Sequence, residues 1–170
     1  MSVPETPALR VSHFGLAVSD VDRSERFYCN VLGFTVGEAY DIDDGLDGIM
    51  ELSDVRVHSR FLRRPDVSIE LLFYRSPAAF GTRERRLMNQ YGLTHMSFWV
   101  SDLEQTIAQV PEFGGIVHTH TRAVIYGNTL IYCSDPDGVR IRADAAAQGR
   151  MTTEAGACRC LDPTFSLRAQ

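Results

Sequence analysis

The chain has 170 residues, a formal net charge of −5 and 44% apolar residues, which suffices for one ordinary domain or two small modules sharing a core. The acidic balance removes any electrostatic reason to approach nucleic acid or an anionic membrane, and no apolar run is long enough to span a bilayer. All 17 basic residues are Arg, which excludes a Schiff-base lysine, a pyridoxal enzyme and a P-loop.

The opening MSVPETPALR has no charged start followed by an apolar stretch, so a cytoplasmic protein is expected, with residues 1–8 as a flexible leader. From Leu9 the sequence alternates. Phe14, Leu16 and Val18 fall on one face of a strand, and His13, Gly15 and Ala17 on the other. Ser19 or Asp20 can cap a following helix whose apolar side chains are Val21, Phe27, Tyr28, Val31 and Leu32, with Gly33 as its stop. Strand-like runs follow at about 34–40, 48–62 with a break inside, and 67–74, separated by DIDDGLDG and RRPD turns. The order is β-α-β-β-β.

The stretch TRERRLMNQYG at 82–92 reads as a solvated linker helix, with an anion-binding role for its arginines as the lesser reading. The first order then repeats. LTHMSFWV places Met96, Phe98 and Val100 on one face and His95, Ser97 and Trp99 on the other. Ser101 and Glu104 form a capping-box pattern before a short helix that Pro111 and FGG end, and strands are expected near 116–122, 128–134 and 138–144, the last after a DPDG turn. Residues from 146 onward read as an appended tail that includes Cys158 and Cys160, whereas Cys29 and Cys133 read as buried thiols.

The repeat is the organising fact. His13 and His95, Val18 and Val100, Ser19 and Ser101, Asp20 and Asp102, and Gly33 and Gly115 all pair at an offset of 82, while Ile69 and Ile141 pair at 72. Neither copy can bury a sheet face alone, so the two should pack together around a common cleft.

Strand parity puts Val67, Ile69, Leu71 and Phe73 on the buried face of the last strand of the first unit, and Glu70 and Tyr74 on the opposite one. Taken singly, each histidine reads as a hydrogen-bonded or half-exposed strand residue. Taken together, His13, His95 and Glu70 converge on one cleft, and two imidazoles with a carboxylate suit a divalent transition metal. Trp99 reads either as a large core residue or as a stacking surface for substrate, and Tyr74 as a donor to a substrate oxygen. His118 and His120 share a face but have no histidine mates at the repeat offset, so they read as solvated strand residues.

HFGLAVSDVDRSERFYCNVLGF, IELLFY, GLTHMSFWVSDLE and DPDGVRI together resemble the vicinal oxygen chelate superfamily, which includes glyoxalase I, methylmalonyl-CoA epimerase, extradiol dioxygenases, and fosfomycin and bleomycin resistance proteins. The resemblance covers residues 9 to about 144. It implies an α+β fold of two tandem βαβββ modules, 9–76 and 93–145 with a linker at 77–92, forming a curved, partly open mixed sheet around a metal and substrate cleft. It also implies four metal-facing positions, which fall here on His13, Glu70, His95 and Arg142.

The fourth position departs from the family, which usually has Glu there, serving in its lyases and epimerases also as a base. A guanidinium offers donors only and can neither ligate a metal nor accept a proton. Arg142 therefore either neutralises Glu70 in a metal-free site or clamps an anionic substrate oxygen beside a three-ligand set; Asp144, on the same face, is a substitute ligand or base of lesser weight. The implied function is a metal-dependent lyase or isomerase, of glyoxalase or epimerase type, acting on a small oxygenated substrate chelated through vicinal oxygens. Its ion would be Ni, Zn, Fe, Co or Mn, held by His13, Glu70 and His95, with Glu70 catalytic and Arg142, Trp99 and Tyr74 contacting substrate. The alternatives are a non-catalytic ligand-sequestering protein and, at less weight, an extradiol-type dioxygenase. Family members commonly pair, which implies a homodimer whose sites are completed within one chain or by modules of two.

Overall fold

A computed structural model describes residues 10–146. The leader, most of the tail, Cys158 and Cys160 lie outside the described residues. The first module is β1 (Phe14–Ala17), α1 (Val21–Leu32), β2 (Thr35–Ile42), a one-turn α2 (Asp47–Met50), β3 (Arg56–Arg63) and β4 (Ser68–Ser76). The second is β5 (Met96–Trp99), α3 (Leu103–Glu112), β6 (Ile116–Ile125), β7 (Asn128–Ser134) and β8 (Arg140–Ala145). Each forms a four-stranded mixed sheet, β1-β4-β3-β2 and β5-β8-β7-β6, so the α+β fold of tandem modules is as expected, with one sheet per module.

The sheets repeat each other down to register. Phe14 pairs with Ile69 and Gly15 with Glu70 in the parallel β1–β4 ladder; Met96 pairs with Ile141 and Ser97 with Arg142 in β5–β8. Arg142 is thus the structural counterpart of Glu70. Helices α1 and α3 each begin on an aspartate in extended conformation, Asp20 accepting from the Arg23 backbone N–H and Asp102 from that of Gln105, each at 2.9 Å. The capping box expected from Ser101 and Glu104 does not form. An Asp one residue later presents its carboxylate to the same orphan donors and to the positive helix end, and Glu104 pairs instead with Arg122.

Three other local expectations are corrected. The run at 48–62 is not continuous strand, because the Asp47 carboxylate accepts from the backbone N–H groups of Asp54 and Val55 at 3.0 and 2.9 Å and folds the first part into α2 and a turn. Pro111 lies inside the last turn of α3 and does not stop it, while the FGG end expected from the sequence holds, with Glu112 last and Phe113 as C-cap. The linker stretch 82–92 contains no helix; its backbone runs in bends and turns, held by the Arg140 side chain of the second module.

The main core spans both modules, beside a smaller cluster of Leu103, Ile131 and Ala143 within the second. Leu16, Val18, Phe27, Tyr28, Ile69 and Leu71 of the first cluster with Met96, Phe98, Val110, Cys133 and Ile141 of the second. Burial pushes the Cys133 thiol up to about 12, as befits an inert core residue. Gly115 is needed for this closeness, since a Cβ there would lie 2.6 Å from the Phe27 ring and from the Ser134 carbonyl oxygen.

Polar bonds fasten the same seam. The DPDG turn between β7 and β8 reaches the start of α1: Asp137 accepts from the Ser19 backbone N–H at 3.0 Å, from the Ser19 hydroxyl at 2.5 Å and from Arg23 Nη2 at 3.0 Å. Next to it, buried Asp135 accepts from the Tyr28 hydroxyl at 2.9 Å and from the backbone N–H groups of Asp137 and Val139 at 3.0 and 2.8 Å. Burial pushes the Asp135 carboxyl up to about 6 against these stabilising donors.

Two outcomes follow for this seam. Tyr28→Phe should lower stability by about 1–3 kcal/mol, measured by urea unfolding, because it strips a donor from a buried carboxylate. Because the folded state holds the Asp135 proton more tightly than the unfolded chain, this carboxyl's contribution to stability is fullest below its ordinary value of 3.8 and is lost as pH rises through about 6. The loss is on the order of 3 kcal/mol. Urea midpoints against pH should show this fall in the wild type and a flatter profile in Asp135→Asn; identical profiles would contradict the assignment.

Candidate metal and substrate site

The first half of the site lies on the first sheet. His13 precedes β1, and its Nε2 is 3.2 Å from Glu70 Oε2 on β4. The Ser12 hydroxyl lies 3.0 Å from His13 Nδ1, and the Phe61 ring meets the imidazole edge-on at a centroid distance of 5.3 Å. Phe61 is paired with Glu70 across β3–β4, so it reaches His13 from the neighbouring strand. The other Glu70 oxygen accepts from the Ser59 hydroxyl at 2.6 Å, and Ser59 is buried. Imidazole and carboxylate are thus held side by side, with one carboxylate oxygen fixed from behind.

The second half repeats these supports with different chemistry. His95 precedes β5, with the Thr94 hydroxyl 2.9 Å from its Nδ1 and the Tyr132 ring edge-on at 5.4 Å. Tyr132 is paired with Arg142 as Phe61 is with Glu70. Arg142 Nε donates to Asp144 Oδ2 at 3.0 Å and to the Ser97 hydroxyl at 3.2 Å, and the Ser97 hydroxyl also donates to Asp144. Burial acts to lower the Arg142 pKa, but Asp144 and Tyr132 carry it above its ordinary value, so the guanidinium stays charged. His95 is shifted down, first by burial and then by the Arg142 charge, which keeps its imidazole neutral at pH 7 with a lone pair to give.

Two expectations about this set change. His13 and Glu70 meet, but His95 stays on the other sheet, and among the described residues no three His, Cys, Asp or Glu side chains gather as a metal site. The physical reason is that the modules are joined through their apolar faces and the α1 seam, with no strand pairing between the sheets to bring the histidine-bearing edges into register. Arg142, for its part, takes Asp144 as its ion-pair partner and leaves Glu70 to His13 and Ser59. Among the described residues, the donors of the expected set that meet are therefore His13 and Glu70, with His95 apart from them.

The remaining residues divide. Trp99 is 63% exposed, which removes its core reading and leaves an open aromatic surface. It lines a cavity of about 330 Å³ together with His95, Ser97, Phe14 and Val67. Tyr74 is half-buried, and its hydroxyl points to Met50 Sδ at 3.8 Å. His118 lies 3.2 Å from the Ser134 hydroxyl and 6.3 Å, ring to ring, from His120. Sequence reasoning missed Ser12, Thr94, Ser59, Ser97 and Tyr132. Ser12 and Thr94 could have been found, since hydroxyl residues precede both histidines at the offset of 82.

The profile of the Glyoxalase/Bleomycin resistance protein/Dioxygenase superfamily matches residues 10–143. A curated relative, a probable lactoylglutathione lyase from Synechocystis sp., is 27% identical over 130 residues, covering 76% of this chain and 89% of its own. Among solved structures, a glyoxalase family protein from Bacillus cereus matches with a TM-score of 0.75 at 15% identity, over 86% of this chain and 99% of that one. A fosfomycin resistance protein from Listeria monocytogenes, complexed with Mn(II) and sulfate, matches with a TM-score of 0.52 at 16% identity, over 81% and 93%. These likenesses to solved structures establish the fold alone. With its duplicated βαβββ modules and a family match over nearly all the described residues, the chain belongs to the glyoxalase/bleomycin resistance protein/dioxygenase superfamily.

Proposed function

We propose that the protein is a metal-dependent lyase or isomerase for a small oxygenated, anionic substrate, working as a homodimer in which His13 and Glu70 of one chain face His95 and Arg142 of a second copy. The observation that carries this reading is the His13 Nε2–Glu70 Oε2 contact of 3.2 Å, an imidazole and a carboxylate held together on one sheet while the third donor is held on the other. A second copy would complete the set in a way that one chain does not. A Ni, Zn, Fe, Co or Mn ion bound there would act as a Lewis acid toward two adjacent substrate oxygens.

The chain's own groups then have distinct tasks. Ser59 fixes Glu70, which among the described residues has no guanidinium partner, and Glu70 is the group assigned to move a proton. Neutral His95 gives its lone pair. Arg142, with 32% of its side chain exposed beyond the Asp144 pair, offers N–H donors to an anionic oxygen. Trp99 provides a flat wall.

One observation favours the ligand-sequestering alternative. The position that carries a carboxylate base in many relatives of this type holds Arg142, a guanidinium that cannot accept a proton and that occupies the neighbouring Asp144 carboxylate as its ion-pair partner. The two readings separate on metal and turnover.

Protein purified without chelator should carry close to one equivalent of divalent metal per chain, measured by elemental analysis, and should refill after chelation. His13→Ala and Glu70→Gln should each lower the affinity at least ~100-fold, and Ser59→Ala about tenfold, read by competition with a chromogenic chelator. A site that cannot be refilled supports sequestration. The metal-loaded wild type should turn over the hemithioacetal of methylglyoxal and glutathione only feebly, since Arg142 takes no proton; robust turnover in a spectrophotometric assay would contradict the role given to this residue.

A further inference from the structure

Arg140 begins β8 on the face that carries Arg142 and is only 8% exposed. Among the described residues no carboxylate lies within ion-pair distance of it. Its Nη1 donates to Met88 Sδ at 2.9 Å, its Nη2 donates to the Arg86 carbonyl, and its Nε is buried with no acceptor. Neutral acceptors orient a guanidinium without neutralising it, and a buried charge without a counterion is unfavourable. Burial, and then the nearby charge of Arg85, lower the Arg140 pKa, while Tyr132 acts to raise it. The Tyr132 ring, whose centroid lies 5.8 Å from the guanidinium carbon, is the one aromatic face this cation meets among the described residues, with no anion beside it there.

The charge is not isolated from ligands. Arg140 borders a cavity of about 340 Å³ whose wall also includes Arg86, Thr82, Thr94 and His95. Arg86 is likewise aimed by a carbonyl, donating from Nη2 to Leu93 O at 3.0 Å. Two carboxylates line the same cavity, but Asp137 is spent on Ser19 and Arg23, and Glu84 makes no ion pair with Arg140. The linker that carries Arg86 is seated against the β7–β8 turn, where a Cβ on Gly138 would collide with the Arg83 carbonyl.

We propose that this cavity is an oxyanion subsite, in which Arg140 and Arg86 take the carboxylate or phosphate of the ligand and so direct its other end toward His95. The subsite deepens the proposed function, resting on it for the identity of the reacting end, but its own binding requires no metal. An anion entering here supplies the counterion that Arg140 lacks, and the carbonyl-held guanidinium groups need little reordering to receive it.

The test is calorimetric titration of the full chain with inorganic phosphate and, separately, acetate, in a buffer containing chelator so that the metal site plays no part. Saturable binding of phosphate assigns a phosphate-bearing ligand, and of acetate alone a carboxylate. Arg140→Gln should abolish that binding and Arg86→Gln, at an exposed position that leaves the fold intact, should weaken it at least tenfold. Arg122→Gln, which alters a guanidinium paired with Glu104 on the surface, should bind as the wild type does. No saturable binding of either anion, or equal binding in Arg86→Gln and the wild type, overturns the subsite; metal affinity in the same variants reads the proposed function separately.

Discussion

The seam between the two modules is the constraint on which the rest depends. The main core is shared between the modules, with Phe27 and Tyr28 of α1 clustering with Val110, Cys133 and Ile141 of the other module, and the second module adds only a small cluster of its own around Leu103, Ile131 and Ala143. Carboxylates then lock the position. Asp137 takes the first turn of α1 and Asp135 takes the Tyr28 hydroxyl, so that the turn after β7 and the helix after β1 cannot slide independently. Because burial holds Asp135 at about 6, the lock is itself sensitive to pH in the mildly acidic range.

That seam decides where the chemistry can be. Apolar faces point into the shared core, and the faces bearing His13, Glu70, His95 and Arg142 are left for ligands. The repeat supplies each histidine with a hydroxyl neighbour and an aromatic edge, and then differs at one position of each sheet. Glu70 stands in one and Arg142 in the other. The first sheet therefore presents an imidazole beside a carboxylate, the donor pair on which the proposed metal role rests, and the second presents positive charge from Arg142 and Arg140 of β8. A substrate with a chelating end and an anionic end suits such a division, and a guanidinium that is paired with Asp144 keeps its place without a metal.

Much of this was legible from residues alone, for identifiable reasons. Strand parity places Leu16, Val18, Ile69 and Leu71 inside and Glu70 outside, because a period of two leaves no other option once one face is apolar. The offsets of 82 and 72 agree with the equivalent registers that the sheets adopt, Phe14–Ile69 and Met96–Ile141. What escaped depends on side chains that act across space. Asp47 bends 47–55 out of the strand, Asp102 caps where Ser101 was expected, and Met88 and the Arg86 carbonyl hold Arg140 with a linker that composition alone reads as helix. The separation of His95 from the His13–Glu70 pair escaped for a deeper reason. A repeat encodes the geometry within each copy, whereas the docking of copies is set by the core between them.

The central claim is that the three donors meet only when two chains do. Mixing is the direct measurement: His13→Ala and His95→Ala chains, each unable to hold metal tightly, are denatured together, reassembled and assayed for bound metal. If the site is shared between chains, each mixed dimer contains a single intact site and metal binding returns. If the mixture binds no more metal than either parent, the donors belong to separate places and the account fails.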